Sequence, residues 1–263
     1  MMAAEAPAPD ISAVINLHGE GRLCHASLRS FDLMCATAVD AGIGVERIAI
    51  LDRPTPETLE TIADFADRFD QVRQIDVGDL GGSRNFAVSR ARGTFVATFD
   101  GDDLWGREWL VRGHAVVQRQ RRKHVIVHPE IVYYFDDSDF QRSSQSDKPA
   151  PGSKSFLFRH NASTALDFDE DTLRFNNVYT SNILAPRATL KQFPYIHVDA
   201  ARGMGVEDWA WNALTVRRGV AHLTAAGTVH LVRVKSGIGS LGARNTASGL
   251  LPPLPSVFPK LGG

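Results

Sequence analysis

The sequence predicts an α/β fold in which a mostly parallel sheet is flanked by helices, and three observations point there. Short β-branched apolar runs alternate with segments of helical periodicity through residue ~103, the pattern of repeated βαβ units. Polar and acidic residues, His18, Glu20, Asp52 and Asp100, fall at the ends of those apolar runs. In sheets of this kind the ligand site lies outside the carboxyl ends of the strands, so these residues converge on one edge.

Each element has its own reason. ISAVINL, residues 11–17, is a β-branched buried-strand pattern ending in the polar HGEG. From Arg22 to Ala41, Leu28, Phe31, Met34, Cys35, Ala38 and Val39 fall at helical spacing, and Gly42 follows as a stop. RIAILD is a second strand ending at Asp52, and ETLETIADFADRF, after Pro54 and Pro56, reads as a second amphipathic helix. QVRQIDV is a third strand, GDLGGSR a glycine-rich loop, and NFAVSRARG a helix closed by Gly93. FVATFD, residues 95–100, is a fourth strand.

The second half is less regular. Residues 107–123 read as a helix with a basic, solvated end, RQRRK, and HVIVHPEIVYYF as a strand pair. Residues 136–155 are polar with Pro and Gly and read as a long mobile loop. FNNVYTSNILAP offers another strand, GVEDWAWNALTVRRG a helix with an acidic start that closes at Gly219, and HLTAAGTVHLVRVKSGIGS ends in a basic Gly/Ser loop. The expected organisation is a flexible tail over 1–9 and one domain over 10–245. That domain divides into a regular first half, 10–106, and a less regular second half, 107–245. A proline-rich tail, 246–263, follows. No internal repeat is present.

Composition narrows the function. A net charge of −1 over 263 residues lacks the basic excess of a general nucleic-acid or membrane-surface binder. No apolar run approaches the ~18 residues of a membrane span, and MMAAEAPAPD has no signal-peptide pattern. The two cysteines, Cys24 and Cys35, lie in one expected helix, where eleven residues of separation span roughly 16 Å. A disulfide needs Cα atoms within about 7 Å, so both read as buried thiols of a cytoplasmic protein.

The sharpest chemical signal is TFDGDDLW, which puts Asp100, Asp102 and Asp103 within four positions. One reading is a solvated acidic turn, though three like charges repel without a cation. An EF-hand loop counted from Asp100 fails, because Trp105 and Val111 stand where Gly and Glu are required. The third reading is a strand-end carboxylate set for Mg²⁺ or Mn²⁺, which bind through few carboxylates plus substrate phosphates. LGGSRN then offers Arg84 for a diphosphate. Neither GxxxxGK[ST] nor GxGxxG occurs, which disfavours an ordinary NTPase or a dinucleotide dehydrogenase. A haloacid-dehalogenase-type phosphatase remains a competitor, although its acidic pair usually ends the first strand.

The order of ISAVINLHGEG, ILD, LGGSRNFAVSRARGTFVATFDGDD, GVEDWAWNAL and HLVRVKSGIGS resembles family 2 glycosyltransferases. The resemblance covers residues ~10–240 and implies the GT-A fold, a Rossmann-like mixed, mostly parallel sheet flanked by helices. Two departures are NLHGE, where the family often has Pro and Tyr, and RPTPET after Asp52. Tail and tryptophan-rich segment together look like domains of bacterial polysaccharide-assembly proteins.

The resemblance implies an inverting, metal-dependent transfer from a nucleoside-diphosphate sugar, a UDP-sugar first, to a glycan or lipid-linked glycan. Work at the inner membrane face fits that acceptor. Asp102 is then the direct metal ligand, with Asp100 on the metal or ribose, His230 as a further ligand, and Mn²⁺ or Mg²⁺ as cofactor. Asp52, Glu20, Arg84, Asp103, Arg233 and Lys235 serve the donor. Asp208 is the base and Glu207 its orienting neighbour. Trp209, Trp211, Trp105 and Asn182 are candidates for the acceptor, while His128 and Glu130 can belong to the site or to the scaffold. A nucleotide-sugar-binding domain without catalysis is the non-enzymatic alternative.

Overall fold

β1 (Ile11–Leu17) is buried along its whole length, because it runs mid-sheet with helices on both faces. The computed structural model describes residues 8–136, 152, 155–196 and 207–234. β1 pairs in parallel with β2 (Val45–Asp52) and β4 (Phe95–Asp100), and β2 in turn pairs in parallel with β3 (Gln71–Ile75). Alternation along β1 sends Ile11, Ala13, Ile15 and Leu17 to one face, where they pack with Leu28, Phe31 and Cys35 of α1 (Cys24–Asp40). Val14 turns to the opposite face, joining Ile48 and Ile50 against Ala87 and Val88 of α3 (Leu80–Arg90). Both cysteines are free and buried in α1, and burial pushes each thiol up to about 12.

Two segments differ from the sequence reading in this half. α2 (Pro56–Ala63) is shorter than expected, and a 3-10 turn over Ala66–Arg68 replaces its last turns. The expected loop GDLGGSR largely belongs to α3, because Asp79 caps it: its Oδ2 accepts from Gly82 N at 2.7 Å.

The sheet continues as β3-β2-β1-β4-β8-β6-β9-β5. β8 (Ile183–Pro186) is antiparallel to both β4 and β6 (Val125–Asp136), and β6 is parallel to β9 (Ala221–Val234). β5 (Leu104–Trp105) pairs antiparallel with β9, and β7 (Phe156–Arg159) hangs on β6. The sheet is therefore parallel in its first half and mixed in its second. HVIVHPEIVYYF is one strand with a register shift at Pro129, and Glu130 N donates to Thr228 Oγ1 at 3.0 Å where the ladder is interrupted. Only Ile183–Pro186 of FNNVYTSNILAP is strand. α4 (Trp109–Gln118), α5 (Arg187–Gln192) and α6 (Glu207–Arg217) complete the layers. Residues 1–7 and the 246–263 tail lie outside the described residues.

Candidate active site

Parallel pairing brings the ends of β1, β2 and β4 to one edge, with Asn16 opposite Asp100 and Asp52 opposite Ile75. Between the aspartates stands Gly101, and a side chain cannot replace its hydrogen. A Cβ there would lie 2.8 Å from the Asn16 carbonyl oxygen and 2.5 Å from Leu17 Cδ2. The acidic turn thus folds tightly against β1.

Each of the three aspartates has a different setting. Asp100 Oδ1 accepts from Arg84 Nη2 at 2.7 Å, and its Oδ2 accepts from Ser181 Oγ at 2.6 Å. Burial alone would raise this carboxyl, but the Arg84 charge and these two hydrogen bonds hold it below the usual range. Asp103 is buried; its Oδ2 lies 2.8 Å from His230 Nε2 and its Oδ1 accepts from Arg233 N at 3.1 Å. Burial pushes Asp103 up to about 6 against the opposing pull of His230, with Asp102 and Asp100 adding to the rise. Asp102 is half-buried, and its carbonyl oxygen accepts from Arg233 Nε at 3.1 Å.

Arg84 departs most from its expected role. It is 0% exposed, with Nη1 on Glu207 Oε1 at 2.7 Å and Nη2 on Asp100, and its guanidinium lies 5.3 Å from the Tyr195 ring centroid. Burial works against its charge, yet the two carboxylates raise its pKa well above the ordinary value. Instead of reaching toward a diphosphate, Arg84 is a buried strut between the acidic turn after β4 and α6. Asp52 is likewise held by the scaffold. It accepts from Gly78 N at 2.8 Å, Val77 N at 2.8 Å and Ser83 Oγ at 2.7 Å, and despite its burial these bonds keep its carboxyl below the usual range. Glu20 Oε2 accepts from His18 N at 2.6 Å, and His18 Nδ1 bonds the Asp52 carbonyl.

Across the edge, α6 opens with Glu207 and Asp208. Glu207 is buried on Arg84, whereas Asp208 keeps some surface. Asp208 Oδ2 accepts from Asn177 Nδ2 at 3.0 Å and Oδ1 from Trp209 N at 2.7 Å. Burial first, then the charge of Glu207, pushes its carboxyl up to about 7, with Arg84 pulling the other way.

Several expected contributors sit elsewhere. Trp105 is 5% exposed, packs edge-on to Phe99 at 4.8 Å and belongs to the core. Trp211 is buried and stacked on Tyr195 at 4.5 Å, its Nε1 donating to Phe193 O. Trp209 is half-buried and donates to Leu173 O at 2.7 Å. Asn182 is buried, so it does not line an open pocket. His230 has both ring nitrogens in hydrogen bonds, to Asp103 and to Thr180 Oγ1 at 3.2 Å, which corrects its assignment as an open metal ligand. His128 is buried with Nε2 2.9 Å from His222 Nδ1. Glu130 pairs with Arg159. Lys235 lies outside the described residues. Among the described residues no three His, Cys, Asp or Glu side chains converge as ligands for a metal ion. The donor set of the acidic turn, Asp100, Asp102 and Asp103, is nonetheless all carboxylate oxygen, the chemistry that Mg²⁺ and Mn²⁺ take.

The sequence reading did not single out Ser181, Ser83 or Tyr195. It also missed Asn177, the hydrogen-bond donor to Asp208. FNNVYTS reads as the start of a strand, and nothing in it reveals a loop that folds back onto α6.

A curled mixed sheet between helices, with an acidic turn at the end of β4 facing an acidic helix start, defines the GT-A class of glycosyltransferase folds. Within that class the chain belongs to glycosyl transferase family 2, whose model matches residues 36–179. The solved structures agree in fold. The S. aureus TarS 1–349 structure in complex with UDP-GlcNAc is 15% identical, with a TM-score of 0.56, over 87% of this chain and 59% of that one. The mannosyltransferase PcManGT from Pyrobaculum calidifontis, in complex with GDP-Man and Mn²⁺, is 14% identical, with a TM-score of 0.51, over 88% and 58%. The chain thus spans about three-fifths of the length of these neighbours. No curated protein sequence matches this chain. Among the described residues, no helix is long and apolar enough to cross a membrane. Family membership removes the haloacid-dehalogenase reading of the aspartates.

Proposed function

We propose that this chain is an inverting, metal-dependent glycosyltransferase that moves a sugar from a nucleoside-diphosphate sugar, a UDP-sugar first, to a hydroxyl of a glycan or lipid-linked glycan. The observation that carries the reading is the Arg84 strut. One buried guanidinium holds Asp100 of the acidic turn and Glu207 of the acidic helix start, each at 2.7 Å. A donor-side carboxylate and the neighbour of a base are thereby fixed relative to each other, which is what positioning catalysis requires. In support, one structural neighbour is in complex with UDP-GlcNAc and another with GDP-Man and Mn²⁺.

Asp102, with Asp100 beside it, would hold the divalent cation. Bound there, a Mn²⁺ or Mg²⁺ ion supplies Lewis-acid stabilisation of the diphosphate leaving group. In this reading Asp100-Gly101-Asp102 is a DxD turn, and Arg233, anchored to it through Asp102 O and Asp103, adds positive charge at the same edge. Lys235 and Glu20 belong to the donor side in this reading. Asp52 contributes by shaping the Val77–Gly78 turn that its carboxylate holds. Asp208 takes the proton from the acceptor hydroxyl as that oxygen attacks the anomeric carbon from the face opposite the diphosphate. The configuration at that carbon inverts. A carboxylate lifted to about 7 is matched to that task near neutral pH.

Asp208→Asn tests the assignment. Size and hydrogen bonding are kept while the basic lone pair is lost, so transfer should fall roughly 10²–10⁴-fold with nucleotide affinity nearly unchanged. Near-wild-type transfer, or a product that retains the donor's anomeric configuration, refutes it. Nucleotide-sugar binding without any transfer or donor hydrolysis by the wild-type chain would leave the binding-domain alternative.

A further inference from the structure

Beyond Asp208 lies a cavity of about 510 Å³ that the roles assigned so far do not use. β-strand alternation builds one wall. Tyr134 of β6 is paired in register with Phe156 of β7, and Phe158 follows two residues on, so all three rings share a face. Tyr134 and Phe156 stack at 4.4 Å and 8°, and the Tyr134 and Phe158 centroids are 5.9 Å apart. Phe156 is nonetheless 53% exposed. An apolar ring on an exposed edge strand gains nothing from solvent and adds an aggregation risk. The rest of the lining mixes amide and hydroxyl groups, Asn161, Asn176, Asn177 and Thr172, with the apolar Phe168 and Val178. Asn177 is the residue that donates to Asp208, so the cavity begins at the base. Tyr134 faces the same edge: burial raises its hydroxyl to about 12, and the charges of Asp103 and Asp208 add to the rise.

We infer that this cavity is the subsite for the acceptor's sugar residues and that it takes a neutral saccharide. The inference rests on the glycosyltransferase reading above. Flat aromatic faces beside amide and hydroxyl donors match a sugar ring, which offers apolar C–H faces and a rim of hydroxyls. The volume suits one or two sugar rings and falls within the usual range for ligand pockets. The charge pattern selects against a polyanion. The charged residues of the lining are Asp167, Asp169 and Arg159, and Arg159 is already paired with Glu130. Asp167 accepts from Asn161 Nδ2 at 3.1 Å and Asp169 from Asp171 N at 3.0 Å, so both act as acceptors. A phosphate- or carboxylate-bearing acceptor would meet two carboxylates with one compensated arginine.

The test is calorimetric titration of the full chain, in the presence of UDP and Mn²⁺, with chitotetraose, maltotetraose and cellotetraose. Tetragalacturonate is the anionic probe of equal length, and UDP affinity is measured on every variant. At least one neutral tetrasaccharide should bind, and tetragalacturonate at least tenfold more weakly. Phe156→Ala should weaken the neutral saccharide about five- to tenfold, the loss of one stacked ring, and Phe156→Trp should restore it. Because Phe156 is half-exposed, the truncation leaves the core intact, and UDP affinity should not move. A chain that binds UDP but none of the neutral probes overturns the inference while the donor reading stands. So does an unchanged affinity in Phe156→Ala, or equal binding of tetragalacturonate. Saccharide binding that Phe156→Ala weakens, in a chain that binds no nucleotide diphosphate at all, upholds the subsite and overturns the donor reading instead.

Discussion

Asp208 and Arg84 carry opposite lessons about buried charge. Asp208 accepts two hydrogen bonds, but burial and the neighbouring Glu207 still lift its carboxyl to about 7. In the proposed role of base Asp208 works deprotonated, so activity is present above that pKa and is lost as pH falls through it. The rate of transfer at limiting substrate should therefore show an acid limb with a midpoint near 7. In Asp208→Asn the residual rate should lack that limb. A wild-type midpoint near 4 would mean that an ordinary exposed carboxylate, and not this one, is titrating. Arg84 is a structural matter. Arg84→Met leaves the buried Glu207 and the half-buried Asp100 without their cation, and breaking a buried pairing costs about 3–5 kcal/mol. Adding Glu207→Gln to that variant should recover part of the loss, since it removes one uncompensated charge. Urea unfolding measures both, and a loss under about 1 kcal/mol in Arg84→Met would show that water reaches the carboxylates. Sequence reading found Arg84 from its place after two glycines. It could not see that the nearest anions are the protein's own, because Glu207 is 123 residues away in sequence.

Among the elements, the pairing of β6 with β9 organises the second half of the sheet, and buried histidines cross it. His128 Nε2 lies 2.9 Å from His222 Nδ1, and His222 Nε2 lies 2.9 Å from Thr215 Oγ1 of α6, the helix that starts at Glu207. His160 Nδ1 bonds the Pro129 carbonyl at 2.6 Å, at the break in β6. Burial lowers all three: His128 well below the ordinary value, His160 to about 4 and His222 to about 3. As pH falls below about 6.5 the unfolded chain takes up these protons first, so stability is full above that value and declines beneath it. Asp103 and Asp208, with raised pKa values, act in the other direction over the same range. The wild-type curve alone is therefore not diagnostic, and the informative quantity is a difference. His222→Gln keeps a hydrogen-bonding side chain without the titration. Between pH 7 and 5 it should lose up to about 2 kcal/mol less stability than the wild type. Equal slopes would show that His222 is hydrated in solution. HVIVHPEIVYYF reads as a strand pair, but β6 is one strand that runs through Pro129. Here the register shift absorbs it, and the neighbouring Glu130 N–H bonds a threonine side chain instead of the ladder.

For the whole molecule, donor and cation are expected to stabilise the fold together, because ligands that bind only the native state add RT ln(1 + [L]/Kd) to its stability. UDP with Mn²⁺ should raise the melting temperature by more than the sum of the shifts each gives alone. Additive shifts would argue that the cation and diphosphate do not share a site at the DxD turn. Much of this architecture was legible in the sequence. The alternation of β-branched runs and helical spacing is a local property, set by burial on one or two faces, and it located β1 to β4 and the helices between them. Strand ends follow from the same pattern, so Asp52 and the acidic turn after β4 could be placed on one edge of the sheet before any coordinates. Ordered motifs along the chain also sufficed for the family. Pairings across long separations were not legible. Asp100 with Arg84 and Ser181, Asp208 with Asn177, and the three-ring wall of β6 and β7 each depend on which distant segments the sheet order brings together. Side-chain identity tells what a residue can bond. Which partner reaches it first, a substrate phosphate or a buried carboxylate, is decided by packing, and only the tertiary structure holds that information.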